Sequence, residues 1–223
     1  MPVPVLHIGN KNYSSWSLRA WLALKWGGIP FEEKLVALGG EGYGRGEIRE
    51  VRAVSPTGRV PALHLADTVI YESLAICEWA AEQTPSLWPA DPMVRAEARS
   101  ASCEMHAGFV ALRMAMSCNI RRRLAREPEW NEDTRADLAR LYETWGGLRA
   151  RYGGEGQFLF GQRSIADAMF APVCTRLRTY AVSAPQVAQA YCAAIFADPA
   201  FQDWELAAEA ESMTIEQTEA LYR

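Results

Sequence analysis

The sequence predicts an α/β domain over residues 1–84 followed by an all-helical domain over residues 93–223. Three observations predict it. The first third alternates short apolar runs with helix-period segments, in the order βαβαββα. Residues 85–92, PSLWPADP, hold three prolines and read as a linker. Beyond them, apolar residues recur only at helical spacing.

Residues 3–8 are an apolar run of strand length. Residues 9–13 form a polar loop, after which Ser14 or Ser15 caps a helix running to Trp26. Its Leu18, Trp21, Leu22 and Trp26 fall at helical spacing, and Gly27-Gly28 ends it. Residues 31–36 are a second strand. Strand, helix, strand makes a βαβ unit with parallel strands and a right-handed crossover. Residues 39–46 hold five glycines in eight positions. A phosphate cradle needs a strand running into it and a following Gly-Lys-Ser or Gly-Lys-Thr, and neither is present. The segment reads as a mobile loop, followed by a short helix over 47–54. Residues 55–73, SPTGRVPALHLADTVIYES, then give a loop, a strand over Ala62–Leu65, a turn at Ala66-Asp67 and a strand over 69–71. Glu72 and Ser73 open the helix SLAICEWAAEQT. In the second half, 93–126 reads as one long helix or a kinked pair broken by Pro128. Further helices cover 129–151, 164–182, 185–197 and a short stretch from Pro199. The run Arg121-Arg122-Arg123 reads as the solvated face of a helix.

Composition narrows the function. The chain has 223 residues, is 49% hydrophobic and 22% charged, and carries a net charge of −4. That mix supports a sizeable core, and the charge gives nucleic-acid binding no electrostatic basis. No apolar run is long enough to span a membrane, and the N-terminus MPVPVLHIGNK lacks signal-peptide character. The five cysteines form no C-x-x-C pair and, with three scattered histidines, show no metal-ligand spacing. They read as buried, reduced thiols of a cytoplasmic protein that needs no metal.

The chemistry concentrates in residues 55–73. Pro61 stands directly before a strand, and an X-Pro bond is the only kind that turns cis at modest cost. A cis Val60-Pro61 bond would leave the Val60 N–H and C=O unpaired at a sheet edge, ready for an extended peptide. Eleven residues on, the Ser73 hydroxyl and the free N–H groups of a helix start suit a carboxylate, while Glu72 suits an ammonium. A peptide-binding edge beside a zwitterion site fits a small peptide whose end carries both charges.

This stretch resembles the second half of the thioredoxin-like domain of cytosolic glutathione S-transferases. The second half of the chain adds to the resemblance. In FLFGQRSIADAMFAPV, Ser164 and Asp167 form a capping-box arrangement before an apolar helix containing Pro172. It is similar to the capping motif of the buried helix in that family's helical domain. The resemblance covers residues 3–205. It implies a thioredoxin-like N-terminal domain, a helical-bundle C-terminal domain, and glutathione as co-substrate. It assigns the cysteinyl backbone of glutathione to Val60 and Pro61, and the γ-glutamyl end to Glu72 and Ser73, with Arg59 beside them.

Glutathione chemistry needs a thiolate, so a hydroxyl should stand where the first strand hands over to the first helix. The chain has NYSSWS there. Serine-type members of the zeta and tau kinds place the active serine seven residues before a helical arginine. Counting back from Arg19 lands on Asn12, so Ser14, Ser15 and Asn12 are all candidates, with Ser14 favoured by its cap position. The second substrate should lie against the helix after the linker. His106, Phe109, Arg113 and Met116 fall at i, i+3, i+7 and i+10 there, and Arg178 is a further candidate. The family implies a homodimeric detoxification enzyme acting on a small electrophile by conjugation or isomerisation. The competing expectation is a non-catalytic binding or assembly module on the same fold.

Overall fold

A computed structural model of the chain describes residues 2–222. Met1 and Arg223, the outermost residues of the two expected domains, lie outside the described residues. The N-terminal part runs β1 (Val5–Ile8), α1 (Ser15–Trp26), β2 (Glu32–Leu35), α2 (Arg49–Val54), β3 (Ala62–Leu65), β4 (Thr68–Tyr71) and α3 (Ser73–Gln83). The sheet order is β2-β1-β3-β4; β1 and β2 are parallel, and β3 is antiparallel to both β1 and β4. This is the thioredoxin-like arrangement. Ala66, at φ 47, makes the β3–β4 turn, and the Val60-Pro61 bond is cis.

The helical part comprises α4 (Pro92–Ala107), α5 (Val110–Ala115), α6 (Glu132–Leu148), α7 (Ile165–Thr179), α8 (Gln186–Ala197), α9 (Pro199–Ala210) and α10 (Glu216–Glu219). The proline-rich stretch before it folds as a 3-10 turn, Pro85–Leu87, with Leu87 and Trp88 buried. Asp91 then caps α4 by accepting the N–H groups of Met93 and Val94. Among the described residues, no helix is long and apolar enough to cross a membrane.

Helix α7 is the spine of this half. All its residues except Arg178 are buried. Such a helix needs its N-terminus satisfied from within, because water cannot reach it. Asp167 meets that need. Its Oδ2 accepts the Ser164 N–H and hydroxyl at 2.8 and 2.9 Å, and its Oδ1 accepts the Leu159 N–H and Tyr191 hydroxyl, both at 3.1 Å. Helix α7 packs against α1 and α4, and α1 packs in turn against α3. The core is therefore continuous from the sheet to the bundle.

The expected helix over 93–126 is corrected. Helix α4 stops at Ala107, Gly108 is extended, and Phe109 takes a left-handed conformation at φ 52 before the short α5. A Cβ on Gly108 would stand 2.8 Å from the Glu104 carbonyl oxygen, so this break needs glycine. From Met116 the chain is irregular up to Asn131, the cap of α6. The three arginines at 121–123 are consequently not on a helix. Arg121 donates to the Glu211 and Met213 carbonyls, and Arg122 to those of Glu219 and Tyr222, so they hold the C-terminal segment. The expectation for cysteine is corrected at one position: all five are free, but Cys103 is exposed.

Replacing Asp167 with alanine leaves four donors without their acceptor. Buried unsatisfied groups cost about 1–3 kcal/mol each, partly relieved by relaxation. Urea denaturation of Asp167→Ala should show a loss of about 3 kcal/mol or more, and Asp167→Asn, which keeps one acceptor oxygen, a smaller one.

Candidate functional site

The loop between β1 and α1 is held from several sides. The carboxylate of Glu211 accepts the N–H groups of Lys11 and Asn12 at 2.7 and 3.0 Å. Asn10 Oδ1 accepts the Leu38 N–H, and the Tyr13 hydroxyl donates to Glu219 at 2.6 Å. A Cβ on Gly9 would stand 2.4 Å from the Leu38 side chain, so any larger residue there would have to displace that side chain. This bracing sets Ser14 at the start of α1, where its Oγ accepts the Ser17 N–H at 3.3 Å and caps the helix.

Ser14 lines a cavity of about 480 Å³, within the ~300–1,000 Å³ usual for ligand pockets. Val60 and Pro61 line it from just before β3, Glu72 and Ser73 from the start of α3, Arg59 from the preceding loop, and His106 from α4. Residues missed by the sequence reading complete it: Trp16, and the glycine segment with Gly42, Tyr43, Gly44 and Gly46. The glycine segment therefore forms a wall. Gly58, at φ 65, lets it close in, because a Cβ there would stand 2.1 Å from the Gly46 carbonyl oxygen. Trp16 could have been found from its place in the first turn of α1, beside the capping serine.

Three features of the cavity point to a ligand. The Ser73 Oγ is buried and has no hydrogen-bond partner. Glu72 makes no side-chain cap, so the first turn of α3 opens into the cavity. No hydrogen bond engages the Val60 N–H or C=O among the described residues. These last groups do not lie at a lateral sheet edge, as expected; β3 is an inner strand, and they stand just before it begins.

The other candidate residues fall outside the cavity. Asn12 is fully buried: its amide donates to Asn119 and accepts the Arg121 N–H. Ser15 accepts from Arg176 at 3.2 Å. Phe109 packs edge-on against Phe170 in the core. Arg178 pairs with Glu205 and lies 4.0 Å over the Phe196 ring. Arg113 stands behind the cavity wall, 5.5 Å from the centre of the Trp16 ring. The expected common face of His106, Phe109, Arg113 and Met116 is lost because the helix breaks at Gly108.

Behind Trp16 lies a buried group of cations. The Arg19 guanidinium is 4.3 Å from the Trp16 ring, and its Nε and Nη1 have no partner. Burial, then Arg176 and Arg113, pull its pKa down to about 9. His106 meets Trp16 edge-on at 5.3 Å, with its Nε2 3.6 Å from the Glu72 carboxylate. Burial lowers its pKa below the ordinary 6.5, Arg19 and Arg113 lower it further, and Glu72 opposes them. This environment favours the uncharged imidazole. The Cys77 thiol, pushed up to about 12 by burial, takes no part in thiolate chemistry.

Comparison with known proteins bears on the family and the fold. The family of glutathione S-transferase N-terminal domains matches residues 13–83. A maleylpyruvate isomerase of Ralstonia sp. is 38% identical over 106 residues, 43% of this chain and 49% of that protein. A maleylacetoacetate isomerase of Mus musculus is 35% identical over 111 residues, 49% of this chain and 50% of that protein. The chain thus spans about half the length of the curated relatives it matches. Among solved structures, a glutathione transferase homolog from Burkholderia gl BGR1 with bound glutathione covers 95% of this chain and all of its own, with TM-score 0.70 and 24% identity. The holo structure of a bacterial maleyl pyruvate isomerase, a zeta-class glutathione S-transferase, covers 94% of this chain and all of its own at the same score and identity. At that identity these two likenesses bear on the fold alone.

The electrostatics make one prediction directly. A proton NMR titration should place the His106 midpoint below 6.5, and Glu72→Gln should move it lower still, because the opposing charge is gone. A midpoint at or above 6.5 would mean that the imidazole is solvated and away from the arginines.

Proposed function

We propose that the chain is a member of the glutathione S-transferase family, a reading supported by its N-terminal domain match and its fold, and that it activates the glutathione thiol for conjugation to, or isomerisation of, a small carboxylated electrophile. The observation that carries this reading is the buried, unpartnered Ser73 Oγ at the open first turn of α3. That atom and the helix N–H groups bind the γ-glutamyl carboxylate, Glu72 takes the ammonium, and Val60 pairs with the cysteinyl backbone. Arg59, exposed at the rim, attracts the glycyl carboxylate. In this reading residues 1–84 are the glutathione-binding domain and 93–223 supply the electrophile side.

The sulfur then lies at the start of α1 beside Ser14. A free thiol has a pKa of about 8.5. A helix N-terminus contributes about 0.3–1 kcal/mol and a hydrogen bond to a charged group about 1.5–3. At about 1.4 kcal/mol per pKa unit, these lower the thiol by one to two units. Ser14 is the donor because it lines the cavity, whereas Ser15 and Asn12 are engaged elsewhere.

For the electrophile, Trp16 is the aromatic wall and Arg113, with the buried arginines behind it, the source of positive potential. The relatives named for maleylpyruvate and maleylacetoacetate act on carboxylated compounds, in keeping with this preference. The enzyme is read as a cytoplasmic homodimer, as its family is. Retention on immobilised glutathione followed by a chlorodinitrobenzene conjugation assay separates it from a binding module, which would be retained but inactive.

Ser73→Ala should weaken glutathione by calorimetry about 5- to 150-fold, the range of a lost hydrogen bond to a charged group. Its thermal midpoint should not fall, because Ser73 Oγ bonds to nothing in the protein. Arg113→Leu should lower kcat/KM for carboxylated electrophiles and spare neutral ones; an equal loss for both classes would make Arg113 structural.

A further inference from the structure

We propose that Ser17 is a positioning residue that aims the Ser14 hydroxyl at the glutathione sulfur, an inference that rests on the thiol-activation reading above. Ser17 is fully buried. Its Oγ accepts the Gly9 N–H at 3.1 Å and the Ser14 hydroxyl at 2.7 Å. A hydroxyl has one proton to give and two lone pairs. With both lone pairs of Ser17 occupied, its own proton is left with no acceptor among the described residues. A buried donor without an acceptor is costly.

Reversing the Ser14–Ser17 bond removes that cost. Ser17 then donates to Ser14 Oγ, which also accepts the Ser17 N–H at 3.3 Å. Both lone pairs of Ser14 are filled from the Ser17 side, and its proton has only the cavity to point into. A thiolate there accepts it. The chain of donors runs Gly9 N–H, Ser17 O–H, Ser14 O–H, sulfur. No proton changes owner; two hydroxyls rotate. Each donor polarises the next, so the bond to sulfur is stronger than an isolated serine would give. The first link is a backbone N–H, held in place by the braced loop between β1 and α1.

The test reads the pKa of bound glutathione from thiolate absorbance against pH, with affinity measured by calorimetry. Ser17→Ala should raise the thiol pKa by about half to one unit, the share of one neutral hydrogen bond, while glutathione affinity at low pH stays within about twofold. Ser17→Thr, which keeps the hydroxyl, should restore most of the shift, and Ser17→Cys, a weaker donor, should fall between. In a Ser14→Ala background, Ser17→Ala should add nothing. A thiol pKa that ignores Ser17, or an equal shift with and without Ser14, overturns the proposal. A wild-type complex whose thiol titrates near 8.5 is a different failure, that of thiol activation itself. The threonine and cysteine variants keep the test open if the alanine variant folds poorly.

Discussion

Helix α1 has almost no face left for water, and the site follows from that constraint. Helices α3, α7 and α9 pack around it, so residues from Ser15 to Leu24, Trp16 excepted, are buried. Every polar group on such a helix must find a partner inside the protein. Ser15 finds Arg176, Ser17 finds the Gly9 N–H and Ser14, and Arg19 finds the face of Trp16. Trp16, at the first turn, is left to form a cavity wall. The polar residues that look like chemistry in the sequence thus divide into those that hold α1 and those that face the ligand.

The loop before α1 is set from the far end of the chain. Glu211, Asn119 and Arg121 engage Lys11, Asn12 and Tyr13, and Ile120 donates to the Asn12 carbonyl at 3.1 Å. These contacts join three segments that are remote in sequence. They fix the turn that presents Ser14, so the placement of its hydroxyl depends on residues beyond 200. The arginine run at 121–123 gains its meaning here as a clasp for the C-terminal segment.

The cavity is electrostatically divided. Glu72 offers a half-exposed carboxylate at one end, while Arg19, Arg113 and Arg176 gather behind Trp16 with unpartnered nitrogens on the first two. Crowding two buried guanidinium groups against the half-buried Arg113 is unfavourable, and the lowered pKa of Arg19 registers it. Ring contact and carbonyl acceptors offset part of the cost: Arg176 donates to the Met116 and Pro172 carbonyls. Nitrogens of Arg19 and Arg113 remain without a partner among the described residues.

The sequence by itself determined the order of strands and helices in the first 84 residues. Apolar runs, glycine stops and serine caps act within a few residues, so their effect is readable locally. The same holds for Val60, Pro61, Glu72 and Ser73, which a hairpin of set length brings side by side, and for the Ser164–Asp167 cap of α7. Tertiary structure decided what local pattern leaves open. Helical spacing continued through 93–126, but Gly108 and Phe109 broke it, and that break withdrew Phe109 and Arg113 from the cavity face. The two serine hydroxyls and the amide near α1 are all open candidates in the sequence, with only the cap position favouring Ser14. Only the packing of α7 and the C-terminal segment took Asn12 and Ser15 as partners and left Ser14 to the cavity. A short polar side chain can serve a cap, a buried partner or a ligand equally well. The choice among them belongs to whatever packs against it, and that neighbour lies a hundred or more residues away.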